Sequence, residues 1–210
     1  MTENLTPTGM RPTQQGRSLA TRNRILEAVE GALEEGRLET LTIQELVTKA
    51  QCSVGAFYGR FSDKDAALAA LFALRREVFT KKLLALVSKD LDLETWAHKC
   101  AVLSLDHALA NRALLTRAAV QNKSQILNAA AATNNLIASA VGAMIGEKWL
   151  PGVSKPEAEA IAGFVLLMQG ATTRDTVINF PDTLKAPKSR RWFVEQLSAA
   201  TTSYIRKHKQ

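Results

Sequence analysis

One short stretch in the first third of the chain combines very small side chains with a few polar ones. Gly55, Ala56 and Gly59 are small enough for a helix to lie close to base edges or to phosphates. Arg60 carries a guanidinium group that can bind a phosphate, or the O6 and N7 atoms of guanine, through two hydrogen bonds. Tyr58 offers a hydroxyl group to a phosphate oxygen. These residue types therefore favour contact with nucleic acid.

Two short helices must position these side chains. Thr42 and Glu45 have the spacing of a capping box, in which each side chain binds a free backbone N–H group at the start of a helix, so we predict a helix over 42–50. Ser53 is a favourable N-cap for a second helix over 53–60. Two short helices joined by a tight turn have the size of a helix-turn-helix, whose second helix enters the major groove of DNA. Spacing alone leaves open a small helical hairpin that fills a core and binds no DNA.

Three further residues are candidates for contact with the DNA backbone. Thr42 and Ser53 place hydroxyl groups and helix N-terminal N–H groups where a phosphate would bind. Lys64 lies in the first turn of a long predicted helix that runs from Asp63 to Val87. The helix dipole disfavours a cation at that end, and a DNA phosphate would give the lysine a reason to be there.

The capping box, the helix of small residues, the aromatic pair Phe57 and Phe61 and a Ser-x-Lys-Asp helix start follow one another within residues 24–71. This segment, about a quarter of the chain, resembles the DNA-binding head of the tetracycline-repressor (TetR) family of bacterial transcriptional regulators. The resemblance implies phosphate contacts by Thr42, Ser53, Tyr58 and Lys64, and base contacts by Val54, Gly55 and Ala56.

The sequence departs from the family pattern at Gly59 and Arg60, where many members carry histidine or another aromatic residue. The side-chain contact at Gly59 is therefore lost. We retain Gly59 and Arg60 as candidate DNA-binding positions. The sequence leaves open whether Arg60 binds DNA or turns to an acidic neighbour such as Glu45 or Asp63.

Apolar spacing along the rest of the chain predicts an all-α protein, because no stretch alternates apolar and polar residues as a strand would. Further helices are predicted near residues 92–110, 112–120, 123–149, 155–175 and 189–207. We expect a flexible N-terminal arm over 1–17, a three-helix DNA-binding head over 18–65 with its motif at about 42–61, and a helical ligand-binding and dimerisation body over 66–210.

Composition and charge limit the possible classes of protein. The 46% hydrophobic and 22% charged residues are typical of a globular chain and exclude wholesale disorder. The longest apolar run, Ala160–Met168, is too short to span a membrane, and two cysteines fit a cytoplasmic location. The net charge is +7, but residues 1–64 are balanced and most of the excess lies in residues 185–210. The case for nucleic acid therefore depends on where individual bases lie.

Polar side chains interspersed among the apolar helices of the body predict a pocket for a small-molecule effector. The candidate ligand-binding residues are Phe79, Trp96, His107, Arg117, Gln121, Asn135, Met144, Phe164 and Met168. We expect an apolar or aromatic ligand of modest size, anchored by one or two of His107, Arg117, Gln121 and Asn135. The helix that begins near Lys64 is expected to pass this pocket at Phe79 and Leu83 and to link ligand to DNA.

The run Ala160–Met168 is apolar on all its faces, so one side needs a partner beyond its own core. We expect it to pair with the last helix across a twofold axis, which makes a four-helix interface in a homodimer. The predicted interface residues are Phe164, Leu167, Phe193, Leu197, Ala200 and Tyr204.

These features predict a DNA-binding transcriptional regulator that binds a palindromic operator as a dimer and is released by a small molecule. Its role as repressor rather than activator depends on the resemblance alone. A helical adaptor that binds no DNA and a helical enzyme remain alternatives. We expect no catalytic residues, cofactor or metal, because His98, His107 and His208 form no metal-binding pattern. Cys52 and Cys100 are more simply small apolar residues than redox sensors.

Overall fold

The computed structural model describes residues 14–121 and 124–209, and side chains within 16–117 and 134–209. Over these residues the chain forms nine α-helices, one short 3-10 helix and no strand, so the all-α prediction is confirmed. The α-helices are α1 (Gln14–Glu34), α2 (Ile43–Lys49), α3 (Val54–Tyr58), α4 (Lys64–Val87), α5 (Leu93–Ala110), α6 (Arg112–Gln121), α7 (Ser124–Lys148), α8 (Lys155–Asn179) and α9 (Pro187–Lys207). The 3-10 helix, Pro181–Leu184, joins the last two.

The chain divides into two compact units, Met1–Leu71 and Phe72–Gln210. The division falls inside α4, a few residues beyond the end that we predict for the head. Residues 1–13 of the predicted arm lie outside the described residues, whereas residues 14–17 already belong to α1. Helix formation thus begins before the residue at which the sequence suggested that the arm ends.

The first unit is built from α1, α2, α3 and the first two turns of α4. Its buried residues follow helical spacing and include Ile25, Val29, Leu46 and Phe57, all four of which are completely buried. Two N-terminal capping motifs set the starts of α2 and α3. The Thr42–Glu45 capping box is present as predicted at α2. At α3 the Ser53 hydroxyl accepts a hydrogen bond from the backbone N–H of Ala56.

The turn between α2 and α3 has a defined hydrogen-bond pattern. The N–H of Gln51 donates to the Thr48 carbonyl at 3.1 Å, and the N–H of Cys52 donates to the Val47 carbonyl at 3.0 Å. This Schellman arrangement satisfies carbonyls at the end of α2. It holds Gln51 at φ 49°, a left-handed conformation that is unusual for a residue with a side chain. The turn therefore fixes the direction in which α3 leaves α2.

The start of α4 differs in detail from the sequence prediction. Asp63 is the capping residue, because its Oδ1 accepts a hydrogen bond from the N–H of Ala66 at 2.7 Å. The helix begins one residue later, at Lys64, and the Ser62 hydroxyl donates to the Asp63 carboxylate at 3.1 Å. The aspartate is the better cap because its charge also interacts favourably with the helix dipole.

The second unit contains two apolar cores. The larger one surrounds the completely buried Trp96 and is formed by residues of α4, α5, α7, α8 and α9. The smaller one joins α5 to α8, the 3-10 helix and α9, and includes Leu105, Val177 and Leu197. Helices α7 and α8 approach each other closely at Gly142, where a β-carbon would lie only 2.8 Å from the Cα atom of Glu159.

We predict that Gly142→Ala destabilises the second unit by about 1–3 kcal/mol, because the added methyl group must push α7 away from the backbone of α8. Gly146→Ala is the matched control on the same helix, since a β-carbon there meets Ala158 at an ordinary 3.6 Å. Chemical denaturation of the two variants measures the difference. Equal stability of the two variants would contradict the close packing at Gly142.

Candidate nucleic-acid interface

Helix α3 buries one side in the first unit and leaves the other side open. Phe57 points inward, and its ring lies 5.8 Å from that of Phe61. Tyr58 is 54% exposed, and Gly55 is exposed beside it. A β-carbon at Gly55 would meet only the Ser53 hydroxyl, at 3.9 Å, so the surface in front of this glycine is open. Close approach by another molecule is therefore possible along this side of α3.

The other small residues of the motif lie on or next to this open side. Gly59 is exposed, and Val54 and Ala56 are half-buried. Ser53 is exposed at the N-terminus of α3, where free backbone N–H groups favour an anion. We name the surface formed by Ser53, Val54, Gly55, Ala56, Tyr58 and Gly59 the α3 face.

Thr42 is exposed at the start of α2, but its hydroxyl already has a partner. It donates to the Glu45 carboxylate at 2.7 Å, and the backbone N–H of Thr42 donates to the same oxygen at 2.8 Å. These hydrogen bonds hold the pKa of the Glu45 carboxyl below its usual value. A phosphate that used the Thr42 hydroxyl would compete with Glu45.

Lys64 has a different partner from the phosphate that the sequence suggested. Its ammonium group donates to the backbone carbonyls of Leu38, Glu39 and Leu41 at 2.8–2.9 Å. An ammonium group has three N–H donors, and all three are used. Lys64 therefore holds the α1–α2 loop against the start of α4, which gives the cation at that helix end a structural role. Its contact with a phosphate stays a prediction.

Arg60 is half-buried, and its hydrogen bonds go to neither of the acidic neighbours that the sequence left open. Its Nη1 donates to the Ala56 carbonyl at 2.7 Å, while its Nε and Nη2 donate to the backbone and hydroxyl oxygens of Ser18 at 3.4 and 3.2 Å. The side chain thus ties α3 to α1. Its contact with a base or a phosphate stays a prediction, and these hydrogen bonds would have to be exchanged for it.

The remaining cations of the first unit lie mainly on α1. Arg24 donates to the Ala50 carbonyl at 3.0 Å, and both Arg37 and Lys49 pair with Glu35. Within the described part of this unit, the guanidinium groups of Arg17 and Arg22 make no hydrogen bond or ion pair. Their N–H donors are therefore available to another molecule. Arg11 lies outside the described residues.

The second unit has a partly open cavity of about 280 Å³ between its helices. Its walls come from α4, α5, α6, α7 and α8. Apolar side chains and a small set of polar ones form them: Phe72, Arg75, Arg76, Phe79, Leu83, Ser104, His107, Ala108, Asn111, Leu114, Leu115, Asn134, Ile137, Leu166, Leu167, Gln169, Gly170, Ala171, Thr173 and Arg174. Such a concave, mostly apolar space is typical of a small-molecule site.

Two of the predicted ligand-binding residues, Phe79 and His107, line the cavity. Leu83 also lines it, so α4 passes the cavity at both of the positions that the sequence predicts. The prediction that Trp96 and Met144 bind a ligand is wrong for this cavity, because both side chains are buried in the larger core. The remaining predicted positions with described side chains are absent from the cavity wall: Arg117, Asn135, Phe164 and Met168. The side chain of Gln121 lies outside the described residues.

Three arginines in the cavity wall, Arg75, Arg76 and Arg174, were missed by the sequence prediction. The sequence did contain a sign that Arg75 faces the interior. Arg75 falls at helical spacing between Leu71 and Phe79, in an otherwise apolar stripe of α4. On α7 the sequence offers two adjacent asparagines as pocket candidates; Asn134 lines the cavity, whereas Asn135 is exposed outside it. Residue type alone cannot tell which of two adjacent asparagines faces inward.

His107 is held firmly in the cavity wall. Its ring lies 4.6 Å from that of Phe79, and its Nδ1 lies 3.3 Å from the amide nitrogen of Asn111. Burial, followed by the positive charges of Arg76, Lys82 and Arg75, lowers the pKa of His107 from 6.5 to about 4. The ring is therefore neutral at pH 7.

We predict that protonation of His107 contributes to acid unfolding. Because the unfolded chain binds the proton more readily, stability is lost as pH falls from about 6.5 towards 4, by about 1–2 kcal/mol once partial exposure is allowed for. Thermal melts of wild type and His107→Gln at several pH values measure the effect. We expect a flatter profile for the variant; parallel profiles would contradict the prediction.

Helices α8 and α9 carry an exposed apolar surface. Leu167 is 66% exposed, Ala200 is exposed, and the half-exposed ring of Phe164 lies 4.5 Å from that of Tyr204. We name these four residues the α8–α9 face. It contains four of the six residues predicted for a dimer interface.

The other two predicted interface residues lie in or against the smaller core. The prediction of Leu197 as an interface residue is corrected, because its side chain is only 5% exposed and packs inside the second unit. Phe193 is half-buried against the same core. A helix on the surface of a unit must use one side for its own core, and the stripe from Phe193 to Leu197 is that side of α9.

Within residues 14–121 and 124–209, no group of three or more His, Cys, Asp or Glu side chains is arranged to hold a metal ion. Among the same residues, no helix has the length and hydropathy required to cross a bilayer.

Comparison with known proteins gives matches by structure only, since no family model and no curated protein matches the sequence. A TetR-family transcriptional regulator from Mesorhizobium loti MAFF303099 superposes with a TM-score of 0.70 at 15% identity, over 91% of this chain and 98% of its own. A TetR-family regulator from Syntrophomonas wolfei gives 0.63 at 17% identity, over 88% and 94%. The fatty acid degradation regulator FadR from Bacillus halodurans gives 0.63 at 14% identity, over 87% and 94%.

These matches extend over nearly the whole of each chain, so the likeness includes both units rather than the motif alone. It confirms the expected order of a helix-turn-helix head followed by a helical body. The chain has the fold of the TetR-family transcriptional regulators.

Proposed function

We propose that this protein is a cytoplasmic, DNA-binding transcriptional regulator that reads its operator with the α3 face. The observation that carries the proposal is the open side of α3, where Gly55 and Tyr58 are exposed between the hydroxyl-bearing helix start at Ser53 and the glycine at 59. Small residues permit close approach to base edges, and the flanking hydroxyls and N–H groups suit phosphates. Arg17 and Arg22 supply charge for the DNA backbone.

The α8–α9 face supports a homodimer. An exposed apolar surface that includes Phe164 and Leu167 is more stable when a second copy covers it. A twofold dimer presents two recognition helices, and two half-sites about 34 Å apart then form a palindromic operator. We infer that the dimer is the DNA-binding species.

The cavity supports control by a small molecule, and helix α4 is the element that would transmit it. This single helix carries Lys64, which holds the loop of the first unit, and Phe79 and Leu83, which line the cavity of the second. A ligand that favours one position of α4 changes the first unit's fit to DNA. A coupling of about 1–3 kcal/mol, which is about 5- to 150-fold in affinity, suffices for regulation. Release of a repressor by its ligand is the mode that we propose.

Selection of bound duplexes from a random DNA library tests the proposed function without knowledge of the operator. We expect the full-length protein to enrich an inverted repeat, and its affinity for the selected duplex to fall steeply with salt as phosphate counterions are released. Tyr58→Ala should weaken that binding. Failure to enrich any sequence would overturn the proposal and favour a helical adaptor, whereas turnover of a small molecule would favour an enzyme.

A further inference from the structure

We infer that the cavity of the second unit binds an uncharged carbonyl compound, such as a ketone on an apolar body, whose oxygen accepts hydrogen bonds from the cavity wall. The inference rests on the proposed function only in taking this cavity as the effector site. It goes beyond the sequence prediction of an apolar or aromatic ligand, because it assigns the polar group of that ligand and the side chains that would meet it.

The first hydrogen-bond donor is the hydroxyl of Thr173, which lies on α8 and lines the cavity. The residue is 1% exposed, and its hydroxyl has no hydrogen-bond partner in the described part of the chain. Thr176 on the same helix differs, because its hydroxyl donates to the Thr172 carbonyl at 2.8 Å. A buried polar group without a partner costs free energy, so a ligand oxygen that accepts a hydrogen bond from Thr173 would be stabilised.

The second donor is the imidazole ring of His107 on α5, whose tautomer follows from its contact with Asn111. The amide nitrogen of Asn111 donates to the backbone carbonyl of His107 at 2.7 Å, which fixes the orientation of that amide. The same nitrogen lies 3.3 Å from the ring Nδ1. An amide nitrogen can only donate, so Nδ1 accepts and the proton of the neutral ring lies on Nε2. That Nε2–H group has no hydrogen-bond partner among the described residues, and His107 lines the cavity.

Side-chain acceptors of the wall, by contrast, already receive hydrogen bonds. The side-chain oxygen of Asn134 accepts from Nη2 of Arg76, and that of Gln169 accepts from the Ser104 hydroxyl at 3.5 Å. The Nε of Arg76 is a further buried donor without a partner in the described part of the chain. No aspartate or glutamate is present among the described residues of the wall. Since buried donors in proteins are normally paired, a ligand that matches this wall must present an acceptor.

The described side chains of the wall do not require that this acceptor carry a charge. Arg174 is exposed to water, and Arg75 already has an interaction partner, so neither needs a counter-charge from a ligand. Arg76 is only half-buried. Thr173 and His107 are uncharged donors, and hydrogen bonds from neutral groups do not offset the cost of taking a carboxylate out of water. A carbonyl oxygen loses far less on leaving water, so an uncharged ligand is favoured.

The rest of the wall suits an apolar body. Phe72, Phe79, Leu83 and Ile137 contribute aromatic and aliphatic surface. A volume of about 280 Å³ is at the lower end for a ligand site, which favours a compact molecule with one polar group.

Calorimetric titration of the full-length protein with matched probes tests this inference. The ketones are acetophenone, benzylacetone and 2-acetonaphthone. Each is compared with a hydrocarbon of the same shape (ethylbenzene, butylbenzene or 2-ethylnaphthalene) and with a carboxylate of similar shape (benzoate, hydrocinnamate or 2-naphthoate). The variants are Thr173→Val and His107→Phe, each of which removes a donor but retains the approximate shape of the side chain. Thr176→Val is the control, because Thr176 lies on the same helix outside the cavity wall.

We expect at least one ketone to bind once per subunit, and its hydrocarbon and carboxylate counterparts to bind about tenfold more weakly or not at all. Each donor variant should lose about five- to tenfold in affinity for the ketone and little for the hydrocarbon, while Thr176→Val keeps wild-type affinity. Thr173→Val should be at least as stable as wild type without ligand, since it removes a buried hydroxyl that has no partner among the described residues. It therefore remains informative even if His107→Phe does not fold.

Three results would overturn the inference: no ketone binds, the hydrocarbons or carboxylates bind as tightly as the ketones, or the folded donor variants retain wild-type affinity for the ketone. None of these bears on DNA, because the duplex selection needs no ligand. Conversely, a protein that selects no duplex but binds a ketone through Thr173 would refute the regulator and leave the ligand class intact.

Discussion

Gly55→Glu is expected to reduce affinity for the selected operator by about 100-fold or more, because it places a large anion on the surface that must approach the DNA. A β-carbon at this position meets only the Ser53 hydroxyl, at 3.9 Å, so the folded protein has room for the new side chain. Glutamate is also a better helix former than glycine, and its charge is favourable near a helix N-terminus. The loss of DNA binding should therefore occur with no loss of stability.

Gly31→Glu is the matched control. It makes the same change of residue and charge on α1 in the same unit, at a position where a β-carbon meets no other atom within 4 Å. Gel-shift titrations and thermal melts of both variants measure the two effects separately. If Gly31→Glu lost as much operator affinity as Gly55→Glu, net charge rather than the α3 face would account for the result.

Leu167→Glu is expected to convert a dimer into monomers and to lower operator affinity by about 100-fold or more, because the two half-sites are then no longer bridged. Leu167 is 66% exposed within one subunit, so the glutamate can be solvated in the monomer. In a dimer the same charge would be buried against an apolar surface without a partner. Leu197→Glu, at the buried position, would instead damage the core of the second unit.

Leu136→Glu on α7 provides the comparison, since this leucine is 62% exposed and lies outside the α8–α9 face. Sedimentation of the three proteins at the same concentration gives the oligomeric state, and gel shifts give the affinity. We expect wild type and Leu136→Glu to be dimers. A Leu167→Glu protein that sediments as a dimer, or a wild type that sediments as a monomer, would exclude this face as the interface.

Local features of the DNA-binding motif were readable from the sequence because they depend on neighbours within a few residues. The capping box of Thr42 and Glu45 and the N-cap at Ser53 involve residues three apart, and both occur as predicted. The all-α class followed in the same way, since apolar spacing and helix punctuation are local signals. The last helix began at Pro187, two residues before the predicted start, which is the usual uncertainty of helix ends.

The partners of long polar side chains were decided by tertiary structure. Lys64 and Arg60 have the chemistry of phosphate contacts, yet both donate to protein oxygens that are more than twenty residues away in sequence, in the 38–41 loop and at Ser18 respectively. A long flexible side chain can reach several partners, and its own sequence neighbourhood does not select among them.

The sequence by itself therefore determined the helices, the caps of α2 and α3 and the helix-turn-helix, because each depends on residues within one or two turns of each other. Tertiary structure decided which side of each helix is covered. It placed Leu197 in a core and Leu167 on the surface, and it brought Arg75, Arg76 and Arg174 from two helices to one cavity. The rotation of a helix about its axis is set by every element packed against it, and the spacing of residues within that helix cannot supply this information.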